Sequence, residues 1–185
     1  MSRYFRPRRP NVPIFFTVCL ADRASDLLVR QVAALRQAVR ATRAERPFAI
    51  DAWVVLPDHM HCVWTLPEGD GDYSVRMGAI KARFSREVRR SGFTPTLPLS
   101  NGHGVVAGRV RRGGPYEERV GVNPDLRGEV PIWQKRFWEH HIRDDEDFRA
   151  YVRYCWMNPV KHGLVSDPDD WPFTSYQRDR DGDGA

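Results

Sequence analysis

The chain of 185 residues is 41% hydrophobic and 29% charged, which is typical of one globular domain with its own core. It has no apolar run of the roughly 18 residues that a membrane-spanning helix needs, and its basic N-terminus lacks the apolar stretch of a secretory signal. Three scattered cysteines without a CxxC pair argue against a disulfide framework and a structural zinc site, so we expect a cytoplasmic protein.

The net positive charge of the chain indicates an anionic partner. The formal net charge is +5, and all but three of the 29 Lys and Arg residues are arginines. Arginine binds phosphate in a bidentate manner and stacks on bases, so this composition favours nucleic acid. Codon usage in a GC-rich genome explains many of these arginines equally well, and charge alone does not establish the partner.

In chain order, the first half predicts a strand, a helix, two strands and a second helix. Short runs of β-branched and aromatic residues are typical of buried strands, and apolar spacings of three and four indicate amphipathic helices. Pro47 ends the first helix, and Pro57-Asp58 form the tight turn of a hairpin. The predicted bounds are Ile14–Leu20, Asp22–Arg46, Phe48–Leu56, His59–Leu66 and Ser74–Arg90.

The second half predicts one strand and one helix after a long irregular stretch. Residues 92–130 are rich in Gly, Pro and Arg without a clear period, which favours a flexible insertion. A fourth strand with its lead-in is predicted at Ile132–Ile142, then a helix from Asp144 that Pro159 ends at Asn158, and a polar tail from about residue 177. This order predicts a single α+β domain with a ferredoxin-like antiparallel sheet covered by helices.

Two histidines on the third predicted strand form a candidate metal site. Side chains alternate along a strand, so His59 and His61 project from the same face. Two imidazoles on one face suit a divalent metal if a third ligand comes from elsewhere. Taken alone, two structural or surface histidines are the more frequent explanation of such a pair.

The last predicted helix carries a tyrosine that packing does not explain. Its apolar residues form one stripe of Phe148, Tyr151, Val152, Cys155 and Trp156. At about 100° per residue, Tyr154 lies roughly 130° from the middle of that stripe. Asn158 follows one turn later at the predicted helix end, where its amide oxygen is free to ligate an ion. A solvated tyrosine and an ordinary helix-terminal asparagine are the simpler interpretation of this spacing.

Several segments resemble the REP-associated tyrosine transposases, which are single-tyrosine nucleases of the HUH superfamily. The resemblance is carried by PDHMHCVWTLPEGD, IWQKRFWEHHIRDDEDF, YCWMNPVKHGLV and DWPFTSY. These segments follow the order of the family and extend the resemblance over most of the chain. Two features depart from the family: the stretch 92–130 is longer than the usual link, and the chain ends sooner after WPFTSY.

The resemblance implies a ferredoxin-like fold and a metal-dependent enzyme that cuts and rejoins single-stranded DNA through a 5′-phosphotyrosine. Carried over by position, His59, His61 and Asn158 would be the metal ligands and Tyr154 the nucleophile. Such ligands accept Mg²⁺ or Mn²⁺. The implied partner is single-stranded or hairpin DNA from short palindromic repeats, and no membrane. We expect a monomer or homodimer that is cytoplasmic and associated with the nucleoid.

Residues that hold DNA are predicted where aromatic side chains alternate with cations, a pattern suited to unstacked bases. We predict contributions from the basic arm Ser2–Arg9 and from the arginine face of the Ser74–Arg90 helix, with a further contribution from the fourth strand. The candidates are Arg83, Arg86, Trp133, Arg136, Phe137 and Trp138. Each of the three aromatic residues in this set is more often part of a core than a platform for a base.

Two other functions are compatible with these residues. A non-catalytic single-stranded nucleic-acid-binding protein would retain the fold, and Tyr154→Phe would leave all its activities intact. A metal-dependent hydrolase would use His59 and His61 to activate water, which leaves Tyr154 unused and predicts no protein–DNA adduct. The second histidine motif of a two-histidine phosphoesterase does not occur in the sequence.

Overall fold

A four-stranded antiparallel sheet forms the centre of the computed structural model, which describes residues 12–92 and 131–178. The strand order is β2-β3-β1-β4, the ferredoxin-like order, so the predicted α+β fold is confirmed. The basic arm, the stretch 93–130 and the end of the tail lie outside the described residues. The elements are β1 (Ile14–Cys19), α1 (Leu27–Arg30), α2 (Val32–Glu45), β2 (Ala49–Val55), β3 (His59–Thr65), α3 (Tyr73–Arg90), β4 (Trp138–His141), α4 (Asp145–Lys161) and a 3₁₀ turn (Pro168–Asp170).

Helices cover both faces of the sheet. One face, which includes Phe16 and Met60, packs against α2 and α3 in the larger part of the core. The opposite face, which includes Phe15, packs against α4. His59 and His61 share one face of β3, as the alternation of side chains predicts, and that face lies towards α4. Within the described ranges, no helix is both long and apolar enough to cross a membrane.

The outer edge of β2 is covered by the end of the described chain. The Val55 N–H donates to the Phe173 oxygen, and the Ser175 N–H donates to the Trp53 oxygen, both at 2.8 Å. The Trp171 indole also donates to the Val55 oxygen, at 2.9 Å. The WPFTSY segment, for which the sequence analysis predicts no secondary structure, therefore pairs with a sheet edge that would otherwise be open.

The single helix predicted from Asp22 to Arg46 is wrong in its first part. Asp22 Oδ1 accepts the Ala24 N–H at 2.9 Å, and Ser25 Oγ accepts the Leu27 N–H at 3.2 Å. Such local hydrogen bonds from side chains compete with the backbone hydrogen bonds of a helix, and they hold this segment in turns. The helical part is divided into α1 and α2, which meet at Gln31.

Helix α4 begins as predicted, with the Asp144 side chain capping its first turn, but it does not end before Pro159. A proline near the end of a helix removes a single donor. The helix continues to a closing turn in which Gly163 has φ 68° and the Leu164 N–H donates to the Pro159 oxygen at 2.9 Å. As a consequence, Asn158 lies inside the helix and is completely buried, not at its end.

Arg76, which the sequence places on the exposed basic face of α3, is buried and anchors that helix. It is 1% exposed, whereas the neighbouring Val75 is 43% exposed. Its guanidinium donates to the Asp70 carboxylate at 2.7 Å and to the backbone oxygens of Arg46, Pro47 and Asp72. An arginine is stable in a core when its donors are satisfied in this way.

Replacing Arg76 by leucine is expected to lower the free energy of unfolding by about 2–4 kcal/mol, because the carbonyls and the carboxylate that it binds lose their donor. The measurement is urea unfolding at neutral pH. The hydrogen bond from Arg76 lowers the pKa of Asp70 from 3.8 to about 2, so the ion pair stabilises the fold above pH 4 and is lost as the pH falls through about 2. Arg86→Leu, at an exposed position of the same helix, is the control; an equal loss there would contradict the anchoring role.

Candidate active site

The two histidines of β3 lie side by side beneath α4. Their ring centroids are 4.9 Å apart, and the rings meet edge to face. His59 is 5% exposed and His61 is 3% exposed. The strand geometry that was predicted from their spacing is therefore present, and both imidazoles are buried.

Each imidazole is oriented by a hydrogen bond to its Nδ1 atom. His59 Nδ1 donates to Asp58 Oδ1 at 2.7 Å, and Asp58 in turn pairs with Arg23 at 2.9 Å. His61 Nδ1 is bonded to Thr17 Oγ1 at 2.9 Å, since Thr17 lies directly opposite His61 in the β1–β3 register. These contacts leave the Nε2 atom of each ring for another ligand, the arrangement that histidine ligands of metals usually show.

Burial keeps both rings neutral at physiological pH. Desolvation lowers the pKa of His61 from 6.5 to about 3. It also lowers the pKa of His59, although the hydrogen bond to Asp58 acts in the opposite direction. A neutral imidazole has a lone pair to offer, whereas a protonated one has none, so the histidine pair is ready to bind a cation.

Helix α4 places Asn158 over the histidine pair. The Tyr154 ring lies 5.1 Å from the His61 ring, and the His162 ring lies 5.3 Å from the His59 ring, measured between centroids. Residues four apart share one side of a helix, so Asn158 is midway between the two residues that contact the histidines. The sequence predicts that Tyr154 and Asn158 lie next to each other; the structure brings Tyr154 to the histidine pair, and the helical spacing puts Asn158 on the same side of α4.

Three buried atoms at this place have no hydrogen-bond partner within the described part of the chain. They are His61 Nε2 and the Oδ1 and Nδ2 atoms of Asn158. Buried polar atoms without partners are rare in folded proteins, and each costs about 1–3 kcal/mol. Over residues 12–92 and 131–178, no three His, Cys, Asp or Glu side chains gather as a metal site. The imidazole nitrogens of His59 and His61 and the Asn158 amide oxygen are therefore the atoms that could hold a divalent ion here.

Tyr154 is the exposed tyrosine beside the histidines. It is 36% exposed, its ring meets Phe15 edge-on at 5.7 Å, and the Lys161 ammonium lies 4.9 Å from its ring centroid. Tyr151, one turn earlier, packs instead against Phe15 at 4.5 Å and His140 at 4.7 Å. Burial raises the pKa of Tyr151 above 10.0 and makes its hydroxyl harder to ionise.

The aromatic candidates for DNA binding divide into core and surface residues. Trp133 is 7% exposed and packs against Phe84 at 5.2 Å, so the prediction that its ring stacks on a base is wrong. Phe137 is half-buried and packs against the core at Phe16. Trp138 is 43% exposed, stacks on His140 and touches Phe15, which also contacts His61 and Tyr154. Trp138 is therefore the aromatic candidate that remains open next to the site.

The arginine candidates divide in the same way. Arg83 donates to Thr42 at 2.8 Å and pairs with Glu45 at 2.5 Å, so it joins α3 to α2. Arg86 and Arg136 are exposed, and Arg86 lines an open groove of about 560 Å³ between α3 and the segment before β4. Of the named arginines, these two remain available to a nucleic acid.

Sequence reasoning did not identify the residues that orient the site. Asp58 directly precedes His59 in the hairpin turn, and this adjacency was a usable signal. Thr17 is found only from the pairing of β1 with β3, which the sequence does not specify. Lys161 and His162, at the end of α4, also belong to the site, because they contact the rings of Tyr154 and His59.

Comparisons with known proteins find relatives over most of the chain, although no family model matches it. The chain is 41% identical to a REP-associated tyrosine transposase of Escherichia coli (strain K12) over 97% of its own length and 85% of the relative's. It is 35% identical to a Haemophilus influenzae protein assigned provisionally to the same group, over 97% and 88% of the two chains. A solved REP-associated tyrosine transposase bound to a REP hairpin matches with a TM-score of 0.72 and 40% identity, over 97% of this chain and 85% of that one.

Proposed function

The chain belongs to the REP-associated tyrosine transposases, and we propose that it is a metal-dependent nuclease that cuts and rejoins single-stranded DNA through Tyr154. The observation that carries the proposal is the position of an exposed tyrosine beside a buried histidine whose Nε2 atom has no partner in the described chain. The substrate is hairpin-forming DNA, which is supported by the relative that was solved with a REP hairpin.

His59, His61 and Asn158 would hold Mg²⁺ or Mn²⁺ through two Nε2 atoms and the amide oxygen. Such an ion, when bound, polarises the scissile phosphate and neutralises charge that develops in the transition state. Two features of the chain support this assignment: the ring-orienting bonds from Asp58 and Thr17, and the unpartnered atoms of His61 and Asn158.

The chemical step is a displacement at phosphorus. The Tyr154 oxygen forms a new bond to phosphorus as its proton is released, and the bond from phosphorus to the 3′-oxygen of the preceding nucleotide breaks. That oxygen takes up a proton and leaves as a 3′-hydroxyl, and the strand remains joined to the protein as a 5′-phosphotyrosine. The Lys161 ammonium, 4.9 Å from the Tyr154 ring centroid, brings positive charge to the side of the attacking group. Reversal of the step with another 3′-hydroxyl rejoins DNA without ATP.

The test is to incubate the protein with single-stranded hairpin DNA in Mn²⁺ or in EDTA and to look for an adduct that resists SDS. The proposal predicts an adduct in Mn²⁺ and none in EDTA. Cleavage without an adduct would support a hydrolase that activates water at the histidine pair. Tight binding without cleavage on a broad set of hairpins would support a non-catalytic single-stranded nucleic-acid-binding protein.

Trp138 is expected to stack on a base next to the cleaved phosphate, since it is exposed and linked to Tyr154 through Phe15. Trp138→Ala should weaken binding of single-stranded DNA by about tenfold, because a stacked base contributes about 1–3 kcal/mol. Trp138→Phe should retain most of the affinity in a fluorescence anisotropy titration. Trp133→Phe, a change in the core, should lower stability without a selective loss of affinity; the reverse pattern would contradict this assignment.

A further inference from the structure

A buried phenylalanine of β1 contacts both the tyrosine and one of the histidines of the candidate site. The Phe15 ring is stacked on the His61 ring, with centroids 5.4 Å apart and an angle of 19° between the ring planes. It meets the Tyr154 ring edge to face at 5.7 Å. Phe15 is 2% exposed, so its ring is closed to DNA and solvent. Phe15 therefore touches the proposed nucleophile and a proposed metal ligand, but it offers no reactive atom of its own.

The position of the Phe15 ring is fixed by its surroundings. Strand β1 is paired with β3 on one side and with β4 on the other, so its backbone has little freedom. Two further rings pack against Phe15, that of Tyr151 at 4.5 Å and that of Trp138 at 5.6 Å. A side chain enclosed in this way keeps one rotamer, because the alternatives collide with its neighbours. Phe15 can therefore serve as a fixed support for a residue that is less enclosed.

Tyr154 is the less enclosed residue. It is 36% exposed, and exposed side chains exchange between rotamers within nanoseconds unless a contact holds them. The rings of Phe15 and His61 contact it edge to face from the sheet. Lys161, which lies over its outer side, is a flexible side chain of the same helix and gives no fixed support. Attack on phosphorus requires a defined position of the tyrosine oxygen, since a misplacement of about 1 Å can reduce a rate about 10²-fold.

We propose that Phe15 is a positioning residue, whose ring holds the Tyr154 ring against His61 in the orientation that the attack on phosphorus requires. An edge-to-face contact between rings defines their mutual direction as well as their distance. A leucine at position 15 would fill part of the place but present no flat ring, and it would leave space into which the Tyr154 ring can turn. The inference rests on the proposed function in taking Tyr154 as the nucleophile.

The test compares Phe15→Leu with Phe16→Leu, a matched control at the next position of the same strand. Phe16 is 0% exposed and contacts three rings on the opposite face of the sheet, those of Trp64, Tyr73 and Phe137. Both substitutions remove a buried ring, so both should lower the melting temperature by several degrees. Phe15→Leu alone should slow adduct formation at saturating DNA and Mn²⁺, by about 10–100-fold, and should leave the Kd for DNA within about twofold.

A second measurement requires neither metal nor DNA. NMR relaxation of the aromatic carbons of Tyr154 reports the motion of its ring, and the order parameter should fall in Phe15→Leu but not in Phe16→Leu. Phe15→Met, with an unbranched side chain that fills irregular spaces, should give the same result if the leucine variant does not fold.

The inference is overturned if the Tyr154 ring stays equally ordered in all these variants, or if Phe15→Leu and Phe16→Leu slow adduct formation by the same factor. A ring that loosens only when Phe15 is replaced supports the holding role of Phe15 even if the unsubstituted protein forms no adduct. In that case the proposed function alone fails.

Discussion

Tyr154→Phe is expected to reduce the covalent protein–DNA adduct by at least about 10⁴-fold, because it removes the only atom that forms the bond to phosphorus. DNA binding should be retained, since the ring and its contacts with His61, Phe15 and Lys161 are kept. Adduct is measured on denaturing gels with labelled hairpin DNA in Mn²⁺. Binding is measured in parallel by anisotropy.

Tyr151→Phe is the matched control, since it removes the same hydroxyl one turn away on the same helix. Tyr151 packs between Phe15 and His140 and is less exposed than Tyr154, so its hydroxyl should not matter for the chemistry. Adduct formation should persist in this variant at close to the unsubstituted level. Loss of the adduct in Tyr151→Phe with retention in Tyr154→Phe would show that the nucleophile is misassigned.

Asn158→Leu is expected to separate stability from activity. In EDTA the variant should be more stable than the unsubstituted protein by about 1–2 kcal/mol, because it removes a buried amide whose two polar atoms have no partner in the described chain. Addition of Mn²⁺ should raise the melting temperature of the unsubstituted protein by several degrees and leave that of the variant unchanged, since metal binding stabilises only a protein that holds the ion. The adduct should be lost.

Asn158→Asp tests the same position in the opposite direction. A carboxylate keeps an oxygen ligand and adds charge, so stabilisation by Mn²⁺ should be retained or increased. In EDTA the variant should be less stable, because an unpaired carboxylate replaces a neutral amide in a fully buried place. If thermal melts show the same response to Mn²⁺ in the leucine and aspartate variants, the third ligand is not Asn158.

The sheet and the histidine pair were predictable from local pattern. Each of the first three strands begins and ends within one residue of its predicted bounds, because a short run of β-branched and aromatic residues between turn residues leaves little freedom. The period of two along β3 also specifies which side chains share a face, so the sequence alone predicts that His59 and His61 lie together.

The burial of Arg76 and Trp133 was not predictable from the sequence, because it depends on contacts between distant segments. Arg76 is buried because backbone oxygens of a preceding loop and the Asp70 carboxylate accept its hydrogen bonds. The helical period of the sequence indicates only that a cation occupies this position. Trp133 is covered by α3, which no spacing within its own segment reveals. Asn158 is a separate, local case: proline disfavours helices and so predicts a helix end there, but the helix continues through Pro159 to the turn at Gly163. Local rules fail where tertiary contacts compensate for a local penalty.

The central claim, that Tyr154 becomes covalently joined to DNA, is tested most directly by mass spectrometry of the tryptic digest of an adduct formed in Mn²⁺. Cleavage after Arg149, Arg153 and Lys161 places Tyr151 and Tyr154 in different peptides, 150–153 and 154–161. We predict a 5′-linked nucleotide on peptide 154–161, at the tyrosine, and none on peptide 150–153. Cut DNA with no modified peptide, or a nucleotide on any other residue, would contradict the account.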